Sequence, residues 1–156
     1  MDSITIEQRL ADLGLLLPVL PPSKGIYKPC LAVGDYLYVS GHVSVNTDGT
    51  FITGKLGKDL SEEDGKLAAR QAGLAILTSV KYYLGSLDKV RRVVKLLGMV
   101  NCIPEYEKHP LVINGCSELY AQLWGEENGS GVRSAVGMGS LPGNVAVEIE
   151  ALFALK

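Results

Sequence analysis

Arg133 stands in the run Val132-Arg133-Ser134-Ala135-Val136, an otherwise small and apolar stretch in which a permanent charge needs a chemical reason. Two carboxylates lie close by in sequence. Glu148 and Glu150 alternate with Val145, Val147, Ile149, Ala151 and Phe153, which places both acids on one face of a strand and the apolar residues on the other. Arg133 therefore either forms a salt bridge with one of them or holds the anionic group of a ligand. Composition favours the salt bridge, because buried charges usually pair within the protein.

The other reactive side chains are scattered. His42 follows Ser40-Gly41 at a strand end, and an ordinary hydrogen-bonded histidine is its simpler role; His109, beside Pro110, reads as a helix-boundary residue. Cys30, Cys102 and Cys116 form no CxxC pair and have no histidine at metal-finger spacing, so they read as free, buried thiols in a reducing compartment. GxGxxG, GxxxxGK, HExxH and GxSxG are all absent. No cofactor and no metal are expected.

Charge and hydropathy narrow the class further. Lys plus Arg number 15 against 17 Asp plus Glu, so no global positive field gathers phosphates. Arg91, Arg92 and Lys95 make a local basic cluster, but without interleaved aromatic platforms it reads as a solvated or intersubunit strand face, and nucleic acid is not the expected partner. Leu13 to Leu20 is broken by Pro18, closed by Pro21 and Pro22, and preceded by Asp12, unlike an export signal. No apolar run approaches the roughly 20 residues that span a bilayer. A soluble, cytoplasmic protein is expected, and 156 residues suit one domain.

The elements that must position these groups follow from periodicity. Ile6, Leu10 and Leu13 predict a short amphipathic helix over 4–13 with Gly14 as its stop, followed by an extended Pro-rich arm; residues 1–26 form this appendage and 27–156 the domain proper. Cys30 to Val33 and Tyr36 to Ser40 form a hairpin around Gly34-Asp35, a pair suited to a type II′ turn. Asp48-Gly49 turns the chain into a third strand around Phe51 to Thr53. Ser61 with Asp64 predicts a capping box opening a helix that ends at Gly85, with Ala69, Gly73, Ile76, Val80 and Leu84 on its buried stripe. Val90 to Val100 is a strand, and Pro110 to Gly125 a second long helix whose start is left open by Asn114-Gly115. Trp124 belongs to the core. Two final strands give the order β-β-β-α-β-α-β-β, an α+β sandwich with both helices on one face of a mixed sheet.

Residues 131–152 resemble the C-terminal signature of the YjgF/RidA family, in which Arg-Ser, a strand and Leu-Pro precede a strand bearing Glu-Ile-Glu-Ala; here these are Arg133-Ser134, Leu141-Pro142 and Glu148-Ile149-Glu150-Ala151. Tyr36 to His42 is similar to that family's Ser-Gly-Gln segment, and Tyr27 takes the place of its N-terminal site tyrosine. The resemblance covers about 27–155 and points to a divergent branch with an added N-terminal helix. It implies a chorismate-mutase-like fold assembled as a homotrimer with sites at subunit interfaces. It also implies hydrolysis of enamines and imines such as 2-iminopropanoate to 2-keto acids and ammonia. The arginine matching Arg133 would bind a carboxylate and the glutamate matching Glu148 would position water, with Tyr27, Ser40, Gly41, His42, Asn114, Ser134 and Ala135 contributing to the pocket. Two positions depart from the family: its frequent cysteine is Ala135, and its glutamine is His42.

Chemistry agrees with that implication. A guanidinium offers a rigid two-pronged donor set to a carboxylate, and an imine carbon, already electrophilic, needs mainly orientation and a held water. If the last two strands form a hairpin around Pro142-Gly143, Arg133 faces about residue 152 and lies roughly 13 Å from Glu148, so the two would meet only across a subunit interface. A non-catalytic carboxylate-binding protein would need the same arginine. Ribonuclease activity would need paired acid-base groups that the sequence does not cluster.

Overall fold

The computed structural model describes residues 4–156. Helix α1 (Ile6–Asp12) opens at Thr5 through a capping box with Gln8, and it buries Ile6 and Leu10 in the same core as the rest of the chain. Leu13 lies beyond the helix as its C-cap and is 41% exposed, so the expected third residue of the stripe stays outside the buried core. Strands β1 (Cys30–Val33) and β2 (Tyr36–Val43) form the expected hairpin. Gly34 takes φ 58 while Asp35 keeps a negative φ, the pattern of a II′ rather than a I′ turn.

Helix α2 (Glu62–Leu84) begins at Ser61, with Asp64 closing the capping box, and ends at Gly85 in the left-handed region. After a 3-10 turn over Leu87–Lys89 come β3 (Val90–Asn101), α3 (His109–Gly129), β4 (Val132–Met138) and β5 (Val147–Leu155). Helix α3 starts five residues earlier than Asn114, with Pro110 in its first turn, and Gly125 at φ 80 interrupts it near the expected end. Gly115 is there for proximity rather than for a cap. A Cβ on it would fall inside the Lys66 carbonyl of α2, and one on Gly73 would meet Cys116 Sγ at 2.9 Å. The two helices cross on these glycines.

The sheet order is β1-β2-β5-β3-β4, mixed, with β3 and β4 parallel and the other pairs antiparallel. Two sequence expectations fail here. The segment around Phe51 to Thr53 forms only isolated bridges, Val45 with Phe51 and Thr53 with Val145, because its backbone bonds are divided between two partners: Ile52 N–H donates to the Ser44 carbonyl and its carbonyl accepts from Ala146 N–H. The last two strands are not a hairpin: β5 inserts between β2 and β3, leaving β4 on the far edge beside β3. The parallel β3–β4 pair is possible because α3 supplies the crossover between them.

Leu37, Val39, Val93, Leu96, Val147, Ile149, Ala151 and Phe153 point into the core under α2 and α3, and alternate residues line the uncovered face. Register aligns Leu31, Tyr38, Leu152, Lys95 and Val132 in one row of that face. Leu31, Tyr38 and Val132 are 45%, 52% and 68% exposed, so this side of the sheet carries an apolar band that the chain itself does not cover.

Candidate functional site

Arg133 occupies the edge strand β4, paired with the core residue Leu96, and so points to the helix side of the sheet. Its guanidinium donates to Ser117 Oγ at 2.9 Å and to the Pro110 carbonyl at 3.2 Å. Both partners are neutral. The salt-bridge alternative does not form: Glu148 and Glu150 face the opposite side, and the ion pairs found among the described residues are Lys66–Glu118 and Lys108–Glu62. Pro110, Asn114 and Ser117 recur at helical spacing, so Asn114 shares the α3 face that meets Arg133. Ala135, two residues along β4, packs against the core on that same side. Ser134 alternates to the uncovered face, beside Leu97, away from the guanidinium.

A second group forms at the other end of the sheet. Between Val39 and His42 the β2–β5 register slips by one residue, a bulge at Ser40-Gly41. Without it, alternation from Leu37 and Val39 would turn His42 outward; the extra residue turns it inward, opposite Ile149, and sends Val43 to the open face opposite Glu148. His42 is thus buried, Nδ1 2.7 Å from the Ser40 carbonyl and Nε2 2.7 Å from Ser79 Oγ on α2. Since a carbonyl only accepts, Nδ1 carries the hydrogen and Nε2 accepts from the serine. Burial lowers the His42 pKa from its ordinary 6.5, opposed by the Ser40 bond, so the ring is neutral at pH 7.

Ser40 Oγ donates to the Lys28 carbonyl at 2.6 Å, which ties the bulge to the segment carrying Tyr27. Gly41 lies against Glu148: a Cβ there would collide with its carboxylate. Burial, then the charge of Glu150, raises the Glu148 pKa above the usual carboxylate value. Tyr27, Gly41 and His42 line a cleft of about 300 Å³.

The expected site residues therefore fall into two groups. Tyr27, Ser40, Gly41, His42 and Glu148 gather at the β2 bulge, whereas Arg133, Asn114 and Ala135 gather between β4 and α3. Ser79 and Ser117, which hold His42 and Arg133 in place, were not among the residues singled out from sequence. A lone serine inside a helix carries no signal of its partner.

A five-stranded mixed sheet with α2 and α3 on one face is the chorismate-mutase-like α+β fold. Residues 7–154 match the family model described as "YjgF/chorismate mutase-like, putative endoribonuclease". The chain belongs to that family. It is 38% identical over 151 residues to Protein TCP17 of Trypanosoma cruzi, covering 97% of this chain and 94% of the relative. Among solved structures, the protein Atu1372 of Agrobacterium tumefaciens, described as of unknown function, is 41% identical with TM-score 0.88, over 97% of this chain and 94% of that one. A "putative endoribonuclease" of Shewanella oneidensis is 28% identical with TM-score 0.91, over 97% and 99%. RidA from an Antarctic Psychrobacter, 24% identical with TM-score 0.59 over 87% and 94%, shares the fold. No described helix is long and apolar enough to cross a membrane.

Proposed function

We propose that this protein hydrolyses reactive 2-imino acids and their enamine tautomers to 2-keto acids and ammonia, at sites formed between protomers of a homotrimer. The observation that supports it most is the pairing of two incomplete halves: an arginine whose bonds among the described residues go to neutral acceptors, and a distant carboxylate of raised pKa against Gly41, which lines a cleft. Arg133 holds the substrate carboxylate in a two-pronged grip, with Asn114 and Ala135 beside it. Tyr27, Gly41 and His42 from a neighbouring copy enclose the rest, and Ser40 fixes the bulge.

Glu148 takes a proton from water as the oxygen attacks the C=N carbon. Returning that proton to the imine nitrogen completes the carbinolamine; Glu148 then moves the proton of the new hydroxyl to the amino group, so that the C–N bond breaks, ammonia leaves and the C=O of the 2-keto acid forms. A carboxyl with a raised pKa suits both halves of this exchange better than an ordinary one. No step requires a metal, a cofactor or a thiol, and Ala135 in place of the family's cysteine leaves it intact.

The test is release of ammonia and keto acid when an amino-acid oxidase generates imines in situ, with and without the protein. Acceleration that disappears in Arg133→Ala supports the reading. Tight keto-acid binding without acceleration would instead assign a non-catalytic carboxylate-binding role. Cleavage of RNA that survives Arg133→Ala would favour the ribonuclease description carried by relatives.

A further inference from the structure

The cleft at the β2 bulge has walls that holding a carboxylate and a water does not require. One is the N-terminal arm, which contributes Leu20, Pro21, Pro22 and Lys24. The arm is pinned in place: Val19 N–H donates to the Thr47 carbonyl at 3.1 Å, and Thr78 Oγ donates to the Pro18 carbonyl at 3.0 Å. Gly49 has no room for a Cβ over the Val19 carbonyl. The facing wall is apolar, made by Val45, Phe51 and Ala75. Between them stand His42 and Ser79, whose mutual hydrogen bond uses the serine hydrogen and leaves an uncharged acceptor oxygen toward the cleft.

We propose that this cleft receives the side chain of the imino acid whose carboxylate Arg133 holds, and that it selects bulky apolar side chains, aliphatic or aromatic, over the methyl of 2-iminopropanoate. The inference rests on the imine-hydrolase reading and adds the substrate class to it. A volume of about 300 Å³ is far larger than a methyl group and is lined mainly by carbon. Filling it raises affinity by about fourfold for each methylene removed from water. A charged side chain gains nothing at its inner end, because the His42–Ser79 pair is neutral and offers no counter-charge for the hydration that would be lost. Lys24, on the exposed stretch of the arm, is the cation against which that exclusion has to be tested.

The stable 2-keto acids probe the cleft without catalysis. Titration calorimetry on the intact protein with pyruvate, 4-methyl-2-oxopentanoate, phenylpyruvate and 2-oxoglutarate should give the two apolar ligands at least about tenfold tighter binding than pyruvate. Ala75→Leu fills the cleft from α2 and should reduce that preference to below about threefold. Phe51→Ala, at a residue 40% exposed and so of small cost to folding, removes part of the wall and should weaken the apolar ligands selectively. Equal affinities in the wild type, tightest binding of 2-oxoglutarate, or a preference unchanged in both variants would overturn the assignment. Hydrolysis of the alanine, leucine and phenylalanine imines is measured in parallel. The apolar preference in binding without any hydrolysis would sink the hydrolase reading and leave the cleft assignment standing. Hydrolysis at equal kcat/KM for all three would do the reverse.

Discussion

Arg133 and Glu148 lie on opposite faces of one sheet, with β3 between their strands, and the rows they occupy on it, Leu96 and Met99, are three residues apart. Two strand spacings and three residue rises put their backbones roughly 14 Å apart. Neither reaches the other within a protomer. A β4–β5 hairpin would have put them roughly 13 Å apart, close to this value, although the two strands do not pair.

Arg133→Lys keeps the charge and removes the planar fork. Its kcat/KM for imine hydrolysis should fall by about 10- to 100-fold, the range for losing a charge-assisted hydrogen bond. The melting temperature should change little, since the bonds lost to Ser117 and Pro110 are partly exposed. Loss of both activity and assembly would return Arg133 to a structural role.

Covering the apolar band on the open face should produce a particle three times the 16.7 kDa chain mass in light scattering at micromolar concentration. Leu152→Glu places a charge in the middle of that band and should yield monomers without activity. A fully active, monodisperse wild-type monomer would dismiss the interfacial site.

Glu148→Gln tests the carboxylate through pH. The folded state raises the pKa of Glu148 above 4.5, so it binds the proton more tightly than the unfolded chain, and its ionisation costs stability as pH rises through that window. The glutamine variant should therefore melt above wild type at pH 7 and converge with it near pH 4, while losing hydrolysis at every pH. Activity of wild type should fall as pH drops through the raised pKa. A variant with normal activity would remove Glu148 from the reaction.

Much of this was legible beforehand. The α2 caps, the β1–β2 turn and the alternating final strand follow from local chemistry: Ser61 with Asp64, Gly34 before Asp35, and valine and isoleucine at every second position. Strand order was not, because β5 carries the same alternation whether it pairs with β4 or enters between β2 and β3. Nor was the bulge, since Ser40-Gly41 looks the same in a regular ladder; yet it decides that His42 faces α2 and not solvent. The loop at Phe51 has strand-forming residues and lacks a continuous partner.

His42 gives an independent reading of that bulge. Its folded pKa lies below the unfolded 6.5, so the folded state resists protonation, and stability that is complete above pH 6.5 should decline as pH falls toward the folded value. His42→Gln, which restores the residue usual in the family, should abolish this slope between pH 6.5 and 5 in denaturant titrations. A slope that persists unchanged would mean that the ring is not buried against Ser79.

Chelators and thiol reagents should leave hydrolysis intact. Burial pushes the thiols of Cys30 and Cys116 up to about 11 and about 12, far from the thiolate that alkylating agents need. Ammonia release after EDTA and iodoacetamide treatment is the measurement. Inhibition by EDTA reversed by one particular metal would contradict the mechanism proposed for Glu148.

The position of β5 also bears on how the molecule is made. The strand that comes last in sequence is the middle one of the sheet, hydrogen-bonded to β2 on one side and β3 on the other. Until residues 147–155 are available, the β1–β2 hairpin and the β3–α3–β4 unit have no common ladder, and their apolar faces await a partner more than 100 residues downstream of β2. Such a chain assembles late and through distant contacts, which slows the search for the native pairing. A C-terminal truncation that removed these nine residues would leave two halves of a sheet with open edges, the kind of species that associates with its own copies before it can fold.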